Sequence, residues 1–257
     1  MGNNYTLGRG KVSFAQYKPG TQSPRGERYL GNTPDLGFSA KQTNLDHYSS
    51  EEGVKTKDES VLLQVDYAGT LSTDNVSYEN LAAFFLGSSA TVTVASSTVT
   101  GEAITGVDKG ASYQLGTSAV NPAGVRLVSA VIVKPTPTGT AFVVDVDYTV
   151  DLTMGRITIL EGGAITANAN IAVDYTVTAQ TYNQSISQST TIEGALRFIA
   201  ANPAGELIDY FMPWVKLTPN GEFKLKGDAW QTLTFTLEIL KKGTLQAVYA
   251  NGRPYTP

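Results

Sequence analysis

The sequence predicts a mainly β protein, and three observations carry that reading. Charged residues make up only 16% of the 257 residues, against about 25% in ordinary globular domains. Thr, Ser, Gly and Val recur in short runs of alternating apolar and polar residues, the pattern of half-buried strands. Turn signals such as Pro19-Gly20, Asn32-Thr33-Pro34, Thr153-Met154-Gly155 and Pro219-Asn220-Gly221 punctuate the chain. With 41% hydrophobic residues the chain has the means to bury a core, so disorder is not expected.

The chain opens on a Gly- and Pro-rich arm, residues 1–35, with a short strand around residues 12–14. Leu36, Phe38 and Ala40 then alternate with Gly37, Ser39 and Lys41. Val61, Leu63, Val65, Tyr67 and Leu71 alternate with Gln64, Asp66, Thr70 and Ser72. Period 2 buries one face and leaves the other wet. Between these strands, residues 45–60 read as a long charged connection: Asp46, Glu51, Glu52, Asp58 and Glu59 stand against Lys55 and Lys57. Hairpin loops usually take about 2–5 residues, so a connection this long is functional or ordered by a partner. One helix is expected. Ser77 is its N-cap, Glu79 sits in the first turn, and Leu81, Ala82, Phe84 and Phe85 form the stripe that Gly87 ends.

In the middle region, residues 142–152 and 156–160 flank the turn at Thr153-Met154-Gly155 and read as a hairpin. Asp174-Tyr175-Thr176-Val177 echoes Asp147-Tyr148-Thr149-Val150, as two similarly placed strands of one sandwich would. Six or seven strands in about 95 residues is an immunoglobulin-like size. In the last region, Ile192, Leu196 and Phe198 alternate with Glu193 and Arg197. Residues 207–217 contain Pro213, which implies an edge strand or a bulged one. A strand is expected at 222–226. Leu233, Phe235, Leu237 and Ile239 alternate with Thr232, Thr234, Thr236 and Glu238, the cleanest strand pattern in the chain. Residues 248–257 read as an arm. The outer regions share a dense aromatic and charged texture, and the middle is Val/Thr/Ala/Gly-rich. The organisation that follows is a core domain from residues 1–87 and 183–257, with a β domain inserted at 88–182.

Composition excludes several functions. With no cysteine there is no thiol nucleophile, disulfide or thiolate metal site. His47 is the single histidine. A net charge of −4 gives no general affinity for nucleic acid. No apolar run is long enough for a membrane helix, and Met1-Gly2-Asn3-Asn4-Tyr5 lacks the pattern of a signal peptide. Asp46-His47 could begin a Ser-His-Asp arrangement, but no Gly-x-Ser-x-Gly accompanies it, and a polar loop pair is the plainer reading. Asp145, Asp147 and Asp151 carry calcium-type ligands, yet alternation along a strand spreads them about 7 Å apart, so a solvated face is favoured. Gly8-Arg9-Gly10-Lys11 has the wrong spacing for a phosphate loop. Tyr210, Phe211, Trp214 and Trp230 could stack on a ligand, but aromatics on alternating strands are more often packing. No enzymatic activity, cofactor or metal is expected.

Longer phrases carry a resemblance. They are Gly8-Arg9-Gly10-Lys11-Val12-Ser13-Phe14, then Gly26-Glu27-Arg28-Tyr29-Leu30-Gly31-Asn32-Thr33-Pro34 and Leu45-Asp46-His47-Tyr48-Ser49-Ser50-Glu51-Glu52-Gly53. Thr73-Asp74-Asn75-Val76-Ser77-Tyr78-Glu79-Asn80-Leu81 and Lys226-Gly227-Asp228-Ala229-Trp230-Gln231-Thr232-Leu233 follow. Together these resemble the major tail tube protein of bacteriophages with long, non-contractile tails. The resemblance covers the two ends, about 160 residues. It implies a tail-tube β-sandwich or partial barrel with one short helix, carrying an inserted immunoglobulin-like β-sandwich. It further implies stacked rings, generally hexameric, that form a conduit for DNA ejection. Each subunit would add four strands to an inner barrel, here around 36–44, 60–72, 190–200 and 231–240. Twenty-four strands at about 4.8 Å give a diameter of roughly 37 Å before tilt, wide enough for a duplex.

On that reading the lumen wall presents Ser39, Lys41, Gln64, Asp66, Thr70, Glu193, Arg197, Thr234, Thr236 and Glu238, a polar and weakly negative surface on which DNA slides. The resemblance makes the 46–59 connection an inter-ring contact through Asp46, His47, Glu51, Glu52, Lys55, Lys57, Asp58 and Glu59, mobile in the monomer and ordered in the tube. Partners would be further copies of the chain, the tape-measure protein and genomic DNA in the lumen without sequence preference, the tail terminator and the distal tail proteins. No membrane is involved, and the protein would reside in the virion after assembly in the host cytoplasm. The competing reading is a monomeric β-sandwich binding module for carbohydrate or cell-surface adhesion.

Overall fold

Strands take up 54% of the chain and helix 3%, so the protein is mainly β. The structure, a computed structural model, describes residues 5–254. The described chain divides into two compact units: the residues up to Ala90 together with those from Gln184, and Thr91–Asn183. The first unit begins with β1 (Gly10–Gln16), β2 (Arg28–Tyr29), β3 (Asp35–Ser49), β4 (Thr56–Thr73) and helix α1 (Tyr78–Phe84). β5 (Ser88–Val94) leads into the second unit, which holds β6 (Ser97–Val107), β7 (Ser112–Gln114), β8 (Val128–Lys134), β9 (Tyr148–Asp151), β10 (Arg156–Ile159) and β11 (Ala169–Val177). The chain returns along β12 (Gln180–Ile186), which pairs with β5. β13 (Ile192–Ala200), β14 (Ile208–Pro219), β15 (Leu233–Leu240) and β16 (Tyr249–Gly252) complete the first unit.

The first unit is one antiparallel sheet in the order β2-β1-β13-β14-β15-β4-β3, with β16 also on β14. Its buried face follows from the period-2 pattern. Leu233, Phe235, Leu237 and Ile239 of β15 are buried beside Leu71 of β4 and Val215 and Leu217 of β14. Val12 and Phe14 of β1 and Ile192 and Leu196 of β13 extend the same core. Helix α1 covers it with Leu81 and Phe84, whose ring lies 6.0 Å from that of Phe235. Ser77 caps α1, its hydroxyl accepting from the Asn80 amide at 3.2 Å. The helix ends differently from expectation. Leu86, at φ 51°, is the left-handed residue after the last turn, not Gly87. Gly87 is required for space, because a Cβ there would fall on the Ile186 carbonyl.

Several expected elements are corrected. Residues 45–49 and 56–60 are paired strand, not connection, and only residues 50–55 turn the hairpin. Residues 222–226 form no strand; 220–232 is a loop that leaves Trp230 94% exposed. Pro213 does not make β14 an edge. That strand lies between β13 and β15, and Pro213 sits where the register with β13 shifts. Such a bulge lets an interior strand tolerate the missing amide. Residues 249–252 are not a free arm but strand β16, held on β14, while Arg253 binds Asp209 and the Ala200 carbonyl. The first four residues of the N-terminal arm, including most of the Met1–Tyr5 stretch, and Tyr255–Pro257 lie outside the described residues.

The second unit consists of two three-stranded sheets, β7-β10-β9 and β6-β11-β8, sharing a core of Val107, Leu115, Val133, Ile157, Ile159, Val173 and others. The two Asp-Tyr-Thr-Val strands, β9 and β11, fall in different sheets, and both tyrosines are buried. Residues 142–147 form no strand: Val144 makes an isolated bridge to Tyr148, and residues 145–147 turn. Asp147 is therefore not on a solvated face. It is 6% exposed and accepts the Ala164 and Val143 amides at 2.7 and 2.8 Å. Those two bonds hold its carboxyl below the ordinary carboxylate range, against the opposing pull of desolvation. A group with a depressed folded pKa adds stability above its unfolded pKa, near 4, and that stability is lost as pH falls through the folded value. Asp147→Asn is accordingly expected to destabilise this unit at pH 7 and to flatten its acid limb below about pH 4. Circular dichroism melts of the two proteins at pH 3 and pH 7 check this.

Candidate functional site

β3 and β4 are 15 and 18 residues long, and they outrun the sheet. β15 supports β4 only as far as the Ile239–Tyr67 pair. From the Lys41–Asp66 pair to the Ser49–Thr56 pair, β3 and β4 bond only to each other. The result is an arm about 25–30 Å long. Its residues are exposed on both faces. Leu45 is 62% exposed and Leu63 is 62% exposed, with Val61 and Leu62 close behind. β4 carries an extra residue at two places, Leu63 and Asp58, where the register shifts. These bulges change which side chains share a face along the arm.

The charges expected at a ring contact all lie on this arm, but their pairing was not legible. The Lys57 ammonium meets Asp46 at 2.6 Å, and the Ser60 hydroxyl donates to the same carboxylate at 2.7 Å. Both interactions, Lys57 first, hold the Asp46 carboxyl below its ordinary range. His47 Nδ1 lies 2.6 Å from Asp58. Asp46 and His47 are strand neighbours and point to opposite faces, so no triad forms. Glu51, Glu52 and Lys55 stand at the exposed tip.

The ten polar residues expected on one wall do share a face. Cross-strand register aligns Glu193 with Lys216, Lys216 with Glu238, Glu238 with Ala68, and Ala68 with Ser39. Thr236 and Thr70 are opposed, as are Asp66 and Lys41, and Thr234 and Ser72 share a hydrogen bond of 3.1 Å. Gln64 donates to Asp66, and Arg197 stacks 4.5 Å over Phe211 while bonding Glu27 at 2.7 Å. Every one of the ten is at least partly exposed, opposite the buried core face. Lys216 is the residue that sequence reasoning missed. It lies 3.9 Å from Glu193 and 4.0 Å from Glu238, and it cancels the single excess negative charge. The shifted register around Pro213 hid the alternation that would have found it. The candidate stacking aromatics are dispersed. Trp214 donates to Glu193 at 3.0 Å, Tyr210 packs on Phe38 and Phe198, and Trp230 is exposed on the 220–232 loop.

At the other end of the strand order, β1, β2 and α1 border a cleft of about 540 Å³ with Phe14, Ala82 and Ile192 on its floor. Arg25 and Arg28 line it, and among the described residues neither side chain has a hydrogen bond or ion pair. Desolvation pushes the Arg28 guanidinium below its ordinary value, and Glu79 opposes that shift. Among the described residues no cluster of His, Asp or Glu is arranged to hold a metal ion, and no helix is long and apolar enough to cross a membrane.

The model of the family described as protein of unknown function UCP028589 matches residues 5–253, and the chain belongs to that family. No curated protein matches it.

Proposed function

We propose that this protein is a structural subunit that assembles with copies of itself into stacked rings, forming the tail tube of a long-tailed bacteriophage. One observation carries the reading: a 15-residue edge strand runs out on an arm whose apolar side chains are exposed on both faces. A two-stranded hairpin is marginal in water, and a long unpaired edge is a template for another chain. Such an arm is stabilised by burial against a partner, and ring closure removes both free edges of the sheet. The polar face suits a lumen wall. Its cations stand beside carboxylates, and with Asp35 and Glu27 counted the face stays weakly negative, so passing DNA meets few phosphate contacts. The tape-measure protein and genomic DNA would occupy that lumen, with terminator and distal tail proteins at the two ends and the assembled protein residing in the virion. Hexameric rings are the expected form.

Negative-stain electron microscopy at increasing concentration, with sedimentation in parallel, tests this. Rings or hollow tubes are expected. A strict monomer at every concentration, together with glycan binding by the Thr91–Asn183 unit, would replace the reading with that of an adhesion module.

A further inference from the structure

We infer that the acidic tip of the β3–β4 arm of one copy docks in the Arg25–Arg28 cleft of a second copy. The inference rests on the assembly reading and adds to it the socket and the polarity of the contact. Charge separates the two ends of the sheet. From Tyr5 to Leu30 the chain carries five cations against Glu27 alone, and from Lys41 to Asp66 it carries six carboxylates against three lysines. The cleft presents a half-buried guanidinium, Arg28, with an exposed Arg25 beside it. Taking the Arg28 charge out of water is unfavourable unless a carboxylate meets it. Glu79, the one carboxylate in the cleft lining, makes no ion pair with it within 4.0 Å. The arm tip supplies what the cleft lacks. Glu51 and Glu52 are exposed there without an ion pair, and Val54, 78% exposed, matches the apolar floor.

Within one chain the tip and the cleft belong to opposite ends of the strand order, and no hydrogen bond or ion pair joins them. A contact between two different patches is heterologous, so it propagates from copy to copy rather than closing a two-fold dimer. Charge of opposite sign at the two ends also rejects head-to-head pairing and speeds productive encounters at low salt.

The absence of native cysteine makes the test clean. A Glu52→Cys chain is mixed with an Arg25→Cys chain under mild oxidation. A mixed disulfide dimer is expected, because docking brings the two positions within the roughly 7 Å that a disulfide tolerates. In parallel, Glu51→Lys/Glu52→Lys is expected to raise the concentration needed for assembly about tenfold, and pairing that chain with an Arg25→Glu partner is expected to recover most of the loss. Arg25 is exposed, so its substitution leaves the core intact, which tryptophan fluorescence verifies. Rings that form with no mixed disulfide and no effect of charge reversal would overturn the docking and leave the assembly reading standing. Failure of the unmodified chain to form any higher species, with no cross-link, would overturn both.

Discussion

Replacing residues 44–63 by Asn-Gly is expected to abolish the proposed assembly and to leave the first unit folded. The excised segment is the arm beyond the Thr43–Gln64 pair, and Asn-Gly is the preferred two-residue hairpin turn. Nothing in the core depends on it, since the nearest residues packed on the core along β4 and β3 are the partly buried Tyr67 and Leu36, both outside the excised segment. The size of the effect follows from what the arm exposes. Leu45, Val61, Leu62 and Leu63 are each more than half exposed in the single chain. Burying even two of them at about 1.5 kcal/mol each alters association roughly a hundredfold. Sedimentation of the shortened protein is expected to show a monomer wherever the full chain forms rings. Persistent rings would mean that the arm is not the assembly element.

The second large effect concerns stability. Leu237→Ala is expected to destabilise the first unit by about 3 kcal/mol, whereas Glu238→Ala changes it by less than about 0.5 kcal/mol. The two residues are adjacent and point to opposite faces. Leu237 has no exposed surface and pairs across to Leu217 and Gly69, while the Glu238 carboxylate is exposed and only 4.0 Å from one ammonium. Both tryptophans, Trp214 and Trp230, belong to the first unit, so urea titration followed by tryptophan fluorescence reports that unit separately from the second. Equal effects of the two substitutions would contradict the face assignment on which the lumen reading depends.

The sequence made the faces of this protein legible more readily than its edges. Alternation in β15 and in the inner part of β4 was strict, because one face meets the core and the other meets water, and that physical difference writes itself into every second residue. The arm lacks that difference. With both faces wet, its strands carry mixed charge and scattered apolar residues: residues 45–60 read as a loop, and Val61, Leu63 and Val65, whose alternation implies a buried face, are in fact exposed. Two bulges add a residue each and break the period further. Pro213 masked Lys216 in the same way, by shifting the register of β14. Asp147 departs from its sequence pattern for a different reason. Its neighbours alternate like a strand, but backbone amides from Val143 and Ala164 draw the carboxylate inward, and such long-range bonding leaves no local signature. Trp230 shows the reverse case. An aromatic residue followed by a clean strand suggests burial, yet it stands exposed on a 220–232 loop. The cleft at Arg28 depends on β1, α1 and residues 188–192 meeting, which no single stretch of sequence announces.

Amide hydrogen exchange of residues 44–62, measured below and above the concentration at which higher species appear, tests the central claim most directly. The account predicts fast exchange in the dilute single chain, because a solvated two-stranded arm opens readily, and strong protection once copies associate. The core strands β13 and β15 should be protected in both conditions and serve as the internal reference. Assembly with unchanged exchange along the arm, or an arm already as protected as β15 in the dilute chain, would contradict it.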